Sequence, residues 1–76
     1  MKELIEFVAK SLVDHPDEGR THTYEREQGT VIELEVDPDD LGKVIGRQGR
    51  TARAIRTLLS AAGQKTRRRY SLDIVD

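Results

Sequence analysis

The 76-residue chain has no cysteine and no tryptophan, only three aromatic side chains (Phe7, Tyr24 and Tyr70) and only two prolines. Without cysteine there is no disulfide scaffold and no cysteine-based zinc or redox site, and His15 and His22 are too few to build a metal centre alone. No metal or other cofactor is expected. No apolar run approaches the roughly 18 residues of a membrane helix. The amino-terminal MKELIEFVAKSL also places Glu3 and Glu6 inside what a secretory signal would keep apolar. A cytoplasmic protein without membrane contact is expected. So short a chain buries only about 60% of its unfolded surface, which uses nearly every aliphatic side chain in one core. A deep pocket for a small-molecule substrate is therefore not expected. With no internal repeat, linker or low-complexity tract, residues 1–76 read as one domain.

Acidic residues are missing from one long stretch. Residues 1–40 hold four basic and twelve acidic side chains, whereas residues 41–70 hold nine basic side chains and no acidic one. The formal net charge of −1 conceals this division. A solvated helix face normally mixes both signs, while a surface of one sign creates a field that attracts polyanions.

Leu4, Ile5, Val8, Ala9 and Leu12 recur at helical spacing and predict an amphipathic first helix, ended by the loop residues 14–19. Residues 21–27 and 30–36 predict two strands joined by a turn at Gln28-Gly29, the second alternating Ile32, Leu34 and Val36 against Val31, Glu33 and Glu35. Asp37 is placed to cap a short helix, with Pro38 at its first position, that runs to about Ile45. Gly46 stops this helix. A longer one restarts near Gly49 and runs to about Ala62, with Gly63 as its expected C-cap, and a last strand follows over residues 69–75. Tyr70, Leu72 and Ile74 share one face of that strand.

The corner between the two carboxy-terminal helices reads VIGRQGRTARAI, residues 44–55. Two glycines three apart permit backbone dihedrals closed to other residues and let a second backbone approach. The helix that starts there adds unpaired amides and partial positive charge, a favourable place for phosphate. Arg47, Arg50 and Arg53 surround it with full charges. A Gly-x-x-Gly pair alone is a weak signal, but its setting between two helices, after an alternating strand and within the basic block, resembles the KH domain.

The element order resembles the type II KH arrangement, an α+β fold of order αββααβ in which a three-stranded sheet packs against three helices. The run LGKVIGRQGRTARAIRTLLSAA is similar to that of the small bacterial KhpA (YlqC-type) KH proteins. Ala52 stands where many eukaryotic KH domains carry a bulky aliphatic residue, and the KhpA-like run is also small there. The resemblance implies binding of single-stranded RNA through a loop that clamps about four nucleotides. It assigns contact to Gly46, Arg47, Gln48 and Gly49, flanking charge to Lys43, Arg50 and Arg53, and an apolar groove floor to Ile45, with Ile32 and Val36 as either floor or ordinary core. Arg67, Arg68 and Arg69 either extend the basic surface or discourage pairing at an edge strand. The resemblance also implies an RNA chaperone or post-transcriptional regulator. It brings a homodimer, a KhpB (Jag)-like partner, and a link to cell length and peptidoglycan homeostasis.

Enzymatic readings find no support in the residues. The glycines match neither a Walker loop nor a dinucleotide fingerprint, and no nucleophile can be paired with a base. A different class, a dimerisation module, rests on the long helix. Ala52, Ile55, Leu59 and Ala62 form its core stripe, and Ala54, Leu58 and Ala61 widen the apolar arc beyond the about 100° that one core requires. Those three residues are the expected partner surface.

Overall fold

A computed structural model of the protein describes residues 1–75. The main elements are α1 (Lys2–Leu12), β1 (Arg20–Arg26), β2 (Gly29–Glu35), α2 (Leu41–Ile45), α3 (Arg50–Thr66) and β3 (Tyr70–Val75). This is the αββααβ order expected of a KH domain. The sheet runs β1-β2-β3, with β1 antiparallel to β2 and β2 parallel to β3. A parallel pair needs a long crossover, and α2 with α3 supplies it.

Register follows the alternation of β2. Thr23, Ile32 and Leu72 lie side by side across the sheet, as do Thr21, Leu34 and Ile74, so the apolar positions of β2 and β3 share the face covered by helices. Ile32, Leu34, Val44 and Leu59 are fully enclosed there, joined by Ile5, Ala9, Val36, Ile55 and Leu72. Burying each large aliphatic side chain stabilises the fold by roughly 1.5–3 kcal/mol. The hairpin turn is Glu27-Gln28, one residue earlier than expected, because Gly29 pairs with Arg26 in the ladder.

Asp37 caps as expected, its side chain accepting from the Asp39 amide at 2.9 Å, although the turn it opens is a 3-10 turn (Pro38–Asp40) that leads into α2. The end of α3 differs from the expectation. The helix continues through Gly63 to Thr66 and closes on Arg67, which adopts left-handed dihedrals (φ 59, ψ 39). The Arg68 amide reaches the Gly63 carbonyl at 2.7 Å and the Arg67 amide the Gln64 carbonyl at 3.4 Å, the paired bonds of a Schellman cap. Gly63 is needed for a different reason. A Cβ on it would collide with the Arg68 carbonyl oxygen, so the glycine lets the chain returning toward β3 cross close to the helix.

α1 also differs in part. Ile5 and Ala9 are buried and Val8 is half-buried, but Leu4 and Leu12 are exposed, and Phe7 is 71% exposed. Its apolar residues therefore face two directions, one into the core and one outward. No described helix is long and apolar enough to cross a membrane.

Candidate nucleic-acid interface

α2 ends at Ile45 because Gly46 leaves helical space (φ 78, ψ 169) while its amide still reaches back to the Gly42 carbonyl at 2.8 Å. That dihedral pair is essentially restricted to glycine. Space adds a second restriction, since a Cβ on Gly46 would lie 2.8 Å from the Thr51 amide nitrogen and collide with the Thr51 hydroxyl. Arg47–Gly49 then form one tight turn in which Gln48 (φ 57, ψ 26) and Gly49 (φ 73, ψ 14) are both left-handed. α3 begins at Arg50.

The amides divide into two sets. Those of Gly49 and Arg50 close back onto the carbonyls of Gly46 and Arg47, so the turn is internally braced. The amides of Arg47 and Gln48 have no acceptor among the described residues. The open donors nearest the tip thus belong to the loop itself, ahead of the helix start.

Arg47 and Gln48 are exposed at this tip. Arg53 donates to the Gln48 carbonyl at 3.3 Å, and Arg50 donates to the Gln48 side-chain carbonyl at 3.5 Å. Both guanidiniums are therefore held against the turn by single long hydrogen bonds while remaining exposed. None of Arg47, Arg50 and Arg53 is in an ion pair among the described residues. Ile45 is half-buried and stands outside the hydrophobic core and its packed apolar shell, leaving aliphatic surface beside the loop. Ile32 and Val36 belong to the core instead, and Ile32 is wholly inaccessible.

Lys43 has a different environment from the arginines. Its ammonium pairs with Asp14 and lies 3.4 Å from Asp40. The contact with Asp14 raises its pKa more than desolvation lowers it, and Asp40 adds to the increase. Asp40 has 0% exposed surface. Burial alone would push its carboxyl up, but the amides of Asp14 (3.2 Å) and His15 (2.9 Å), with Lys43, outweigh this and hold it below the usual value. Asp40 thereby ties the loop after α1 to the start of α2 and fixes the helix that carries Gly46. Sequence spacing gave no sign of this role, because three acids in the run 37–40 look equally solvated.

The proposed partner residues Ala54, Leu58 and Ala61 are all exposed, Leu58 to 58%. Arg56 bonds the Leu72 carbonyl on β3, and Ile55 faces the core. On a wheel advancing about 100° per residue, Leu58 therefore lies on the flank of α3 opposite Arg56, away from its contact with β3. The exposed Leu4 and Phe7 of α1 were not anticipated, although their offset from Ile5 on the same wheel is readable from sequence.

The KhpA/KhpB KH-domain sequence model matches residues 2–74, nearly the whole chain. The chain belongs to this family. Among its relatives is the RNA-binding protein KhpA of Borreliella burgdorferi, 57% identical over 97% of this chain and 90% of the relative. The RNA-binding protein KhpA of Halalkalibacterium halodurans is 53% identical over the full length of both chains. That of Aquifex aeolicus is 51% identical over the whole of this chain and 96% of the relative. No solved structure matches the chain.

Proposed function

We propose that residues 1–76 act as one KH unit that binds single-stranded RNA at the Gly46–Gly49 loop. The observation that carries this reading is the loop's geometry. Two amides without an acceptor and three arginines without a carboxylate partner among the described residues meet the aliphatic surface of Ile45 at one exposed corner. Phosphate oxygens accept from the Arg47 and Gln48 amides, Arg47, Arg50 and Arg53 neutralise the backbone charge, and a base lies on Ile45. Lys43 makes no direct contact in this reading, because Asp14 and Asp40 take up its charge; it holds the start of α2 in place. The relatives named as RNA-binding proteins support the choice of ligand. In this reading the protein is a cytoplasmic, non-enzymatic RNA chaperone or post-transcriptional regulator. It works with a KhpB (Jag)-like partner and influences cell length and peptidoglycan homeostasis.

Its test is the double substitution Arg47→Asp with Gln48→Asp. Both side chains are exposed, and aspartate tolerates the left-handed backbone at position 48, so the fold is expected to remain. Binding to a four-nucleotide single-stranded RNA should be lost. Wild-type affinity in a folded double variant would reject the loop as the binding site.

A second reading, a dimerisation module, is favoured by the exposed Leu58 with Ala54 and Ala61 beside it. A homodimer formed there leaves the RNA loop uncovered, so both functions fit one molecule.

A further inference from the structure

The hairpin end of the sheet, away from the Gly46–Gly49 loop, holds a recess of about 1000 Å³. Arg26, Arg67, Arg68 and Arg69 line it, together with Ser60 and Gln64 of α3, against one carboxylate among the described residues, Glu27, with Glu25 on the adjoining surface. None of the four guanidiniums is in an ion pair among the described residues. Arg26 makes only a loose contact, 6.0 Å above the Tyr24 ring. The backbone under the recess is fixed. The Schellman cap sets Arg67 and Arg68, and the Thr30 amide donates to the Arg69 carbonyl at 2.9 Å, tying the three-arginine loop to β2. One cation near the end of α3 would satisfy its dipole, and Lys65 already stands there. The remaining arginines are cations in excess of that need.

The recess is connected to the loop along one side of α3. Arg53, Arg56, Ser60 and Gln64 fall within an arc of about 80° on the helical wheel, a continuous polar and cationic stripe. The hydrogen bond from Arg56 to the Leu72 carbonyl places this stripe on the β3 side. The apolar flank of Ala54, Leu58 and Ala61 is centred about 130° away. The stripe spans about 21 Å from Arg53 to Arg67 at about 1.5 Å per residue. That length corresponds to about six nucleotides at the stacked rise of about 3.4 Å per strand.

We propose that this recess is a second RNA-backbone site, reached by a single strand that leaves the Gly46–Gly49 loop and follows the Arg53–Gln64 stripe to Arg26 and Arg67–Arg69. This rests on the loop reading and extends it. Guanidiniums grip phosphate through paired N–H groups, and the half-buried Tyr70 ring at the recess wall offers a face for a base. The bound RNA therefore covers about ten nucleotides, and its path leaves the Ala54, Leu58 and Ala61 flank of α3 open to a protein partner.

The experiment compares fluorescently labelled oligouridylates of 4 and 12 nucleotides on the full chain, with circular dichroism to verify folding. In the variant Arg67→Gln, Arg68→Gln, Arg69→Gln, binding of the 4-mer should match wild type. Binding of the 12-mer should weaken by about tenfold, and its slope of log affinity against log salt should become shallower by about 1.4–2.1, for two or three lost contacts at about 0.7 each. An unchanged 12-mer affinity and slope overturns the proposal, as does an equal loss on both lengths. Failure of the loop reading gives a different result, a 4-mer that binds the Arg47→Asp, Gln48→Asp variant as tightly as wild type.

Discussion

Replacing Gly46 by alanine imposes two independent costs on the corner that carries the binding loop. The dihedrals φ 78 and ψ 169 are closed to residues with a Cβ, at a cost of about 1–3 kcal/mol. The added methyl also meets Thr51, whose amide nitrogen would be 2.8 Å away, and such overpacking costs a further 1–3 kcal/mol or so. The sum, about 2–6 kcal/mol, is a large share of the about 4–11 kcal/mol expected for a domain of this size. Gly49 is the internal control. Its left-handed φ of 73 costs alanine about 1–2 kcal/mol, and no atom outside its immediate neighbours lies within 4 Å of the site of a new Cβ. Urea unfolding followed by circular dichroism should rank Gly46→Ala well below Gly49→Ala and both below wild type. Thr51→Ala in the Gly46→Ala background should return only a small part of the loss, because it removes the hydroxyl contact but leaves the Thr51 Cβ at 2.7 Å, the amide nitrogen at 2.8 Å and the dihedral cost. Equal stability of the two single variants would refute the two-cost argument.

Binding of a four-nucleotide RNA should weaken with salt at a slope of about −2, from three phosphate contacts by Arg47, Arg50 and Arg53 at about −0.7 each, and a flat titration would mean these charges do not touch the backbone. Leu58→Asp should leave a folded chain with stability within about 0.5 kcal/mol of wild type under monomeric conditions, since the side chain is mostly exposed. Sedimentation velocity should then show loss of self-association, and an unaltered assembly state would move the interface elsewhere. Burial would raise the pKa of the Asp40 carboxyl, but the Asp14 and His15 amides and Lys43 outweigh it and folding holds the group below its ordinary value. Its ionised form therefore stabilises the protein above the ordinary carboxylate range, and this contribution fades as pH falls through the lower folded value. Asp40→Asn should lower the melting temperature at neutral pH and flatten its decline below about pH 4; an acid profile parallel to wild type would deny Asp40 this role.

The parts of the fold that were legible from sequence are those where one local rule acts alone. Ile32, Leu34 and Val36 alternate because one face of β2 is buried, and Gly46 ends α2 because only glycine accepts its dihedrals. Gly63 misled because glycine after an apolar run usually marks a left-handed cap, whereas here it permits a crossing by Arg68, a contact made only in the folded chain. The candidate site divides in the same way. The loop and its three arginines are contiguous and could be read directly. The Lys43–Asp40 pair is an i, i+3 contact that spacing encodes, but the engagement of Asp14 depends on the α1–β1 loop meeting α2, which no spacing encodes. Leu4 and Phe7 lie outside the core because they are offset by about 100° and about 200° from the buried Ile5 on the wheel of α1.

The central claim is that RNA meets the chain at the open amides of the Gly46–Gly49 turn. Two-dimensional amide NMR of the full chain, titrated with a four-nucleotide single-stranded RNA, observes those amides directly. The account predicts the largest shifts at Arg47 and Gln48, smaller ones at Gly49 to Arg53, and none on the outer sheet face at His22, Glu33 or Asp73. Saturable shifts centred on that sheet face, with Arg47 and Gln48 unmoved, would contradict it.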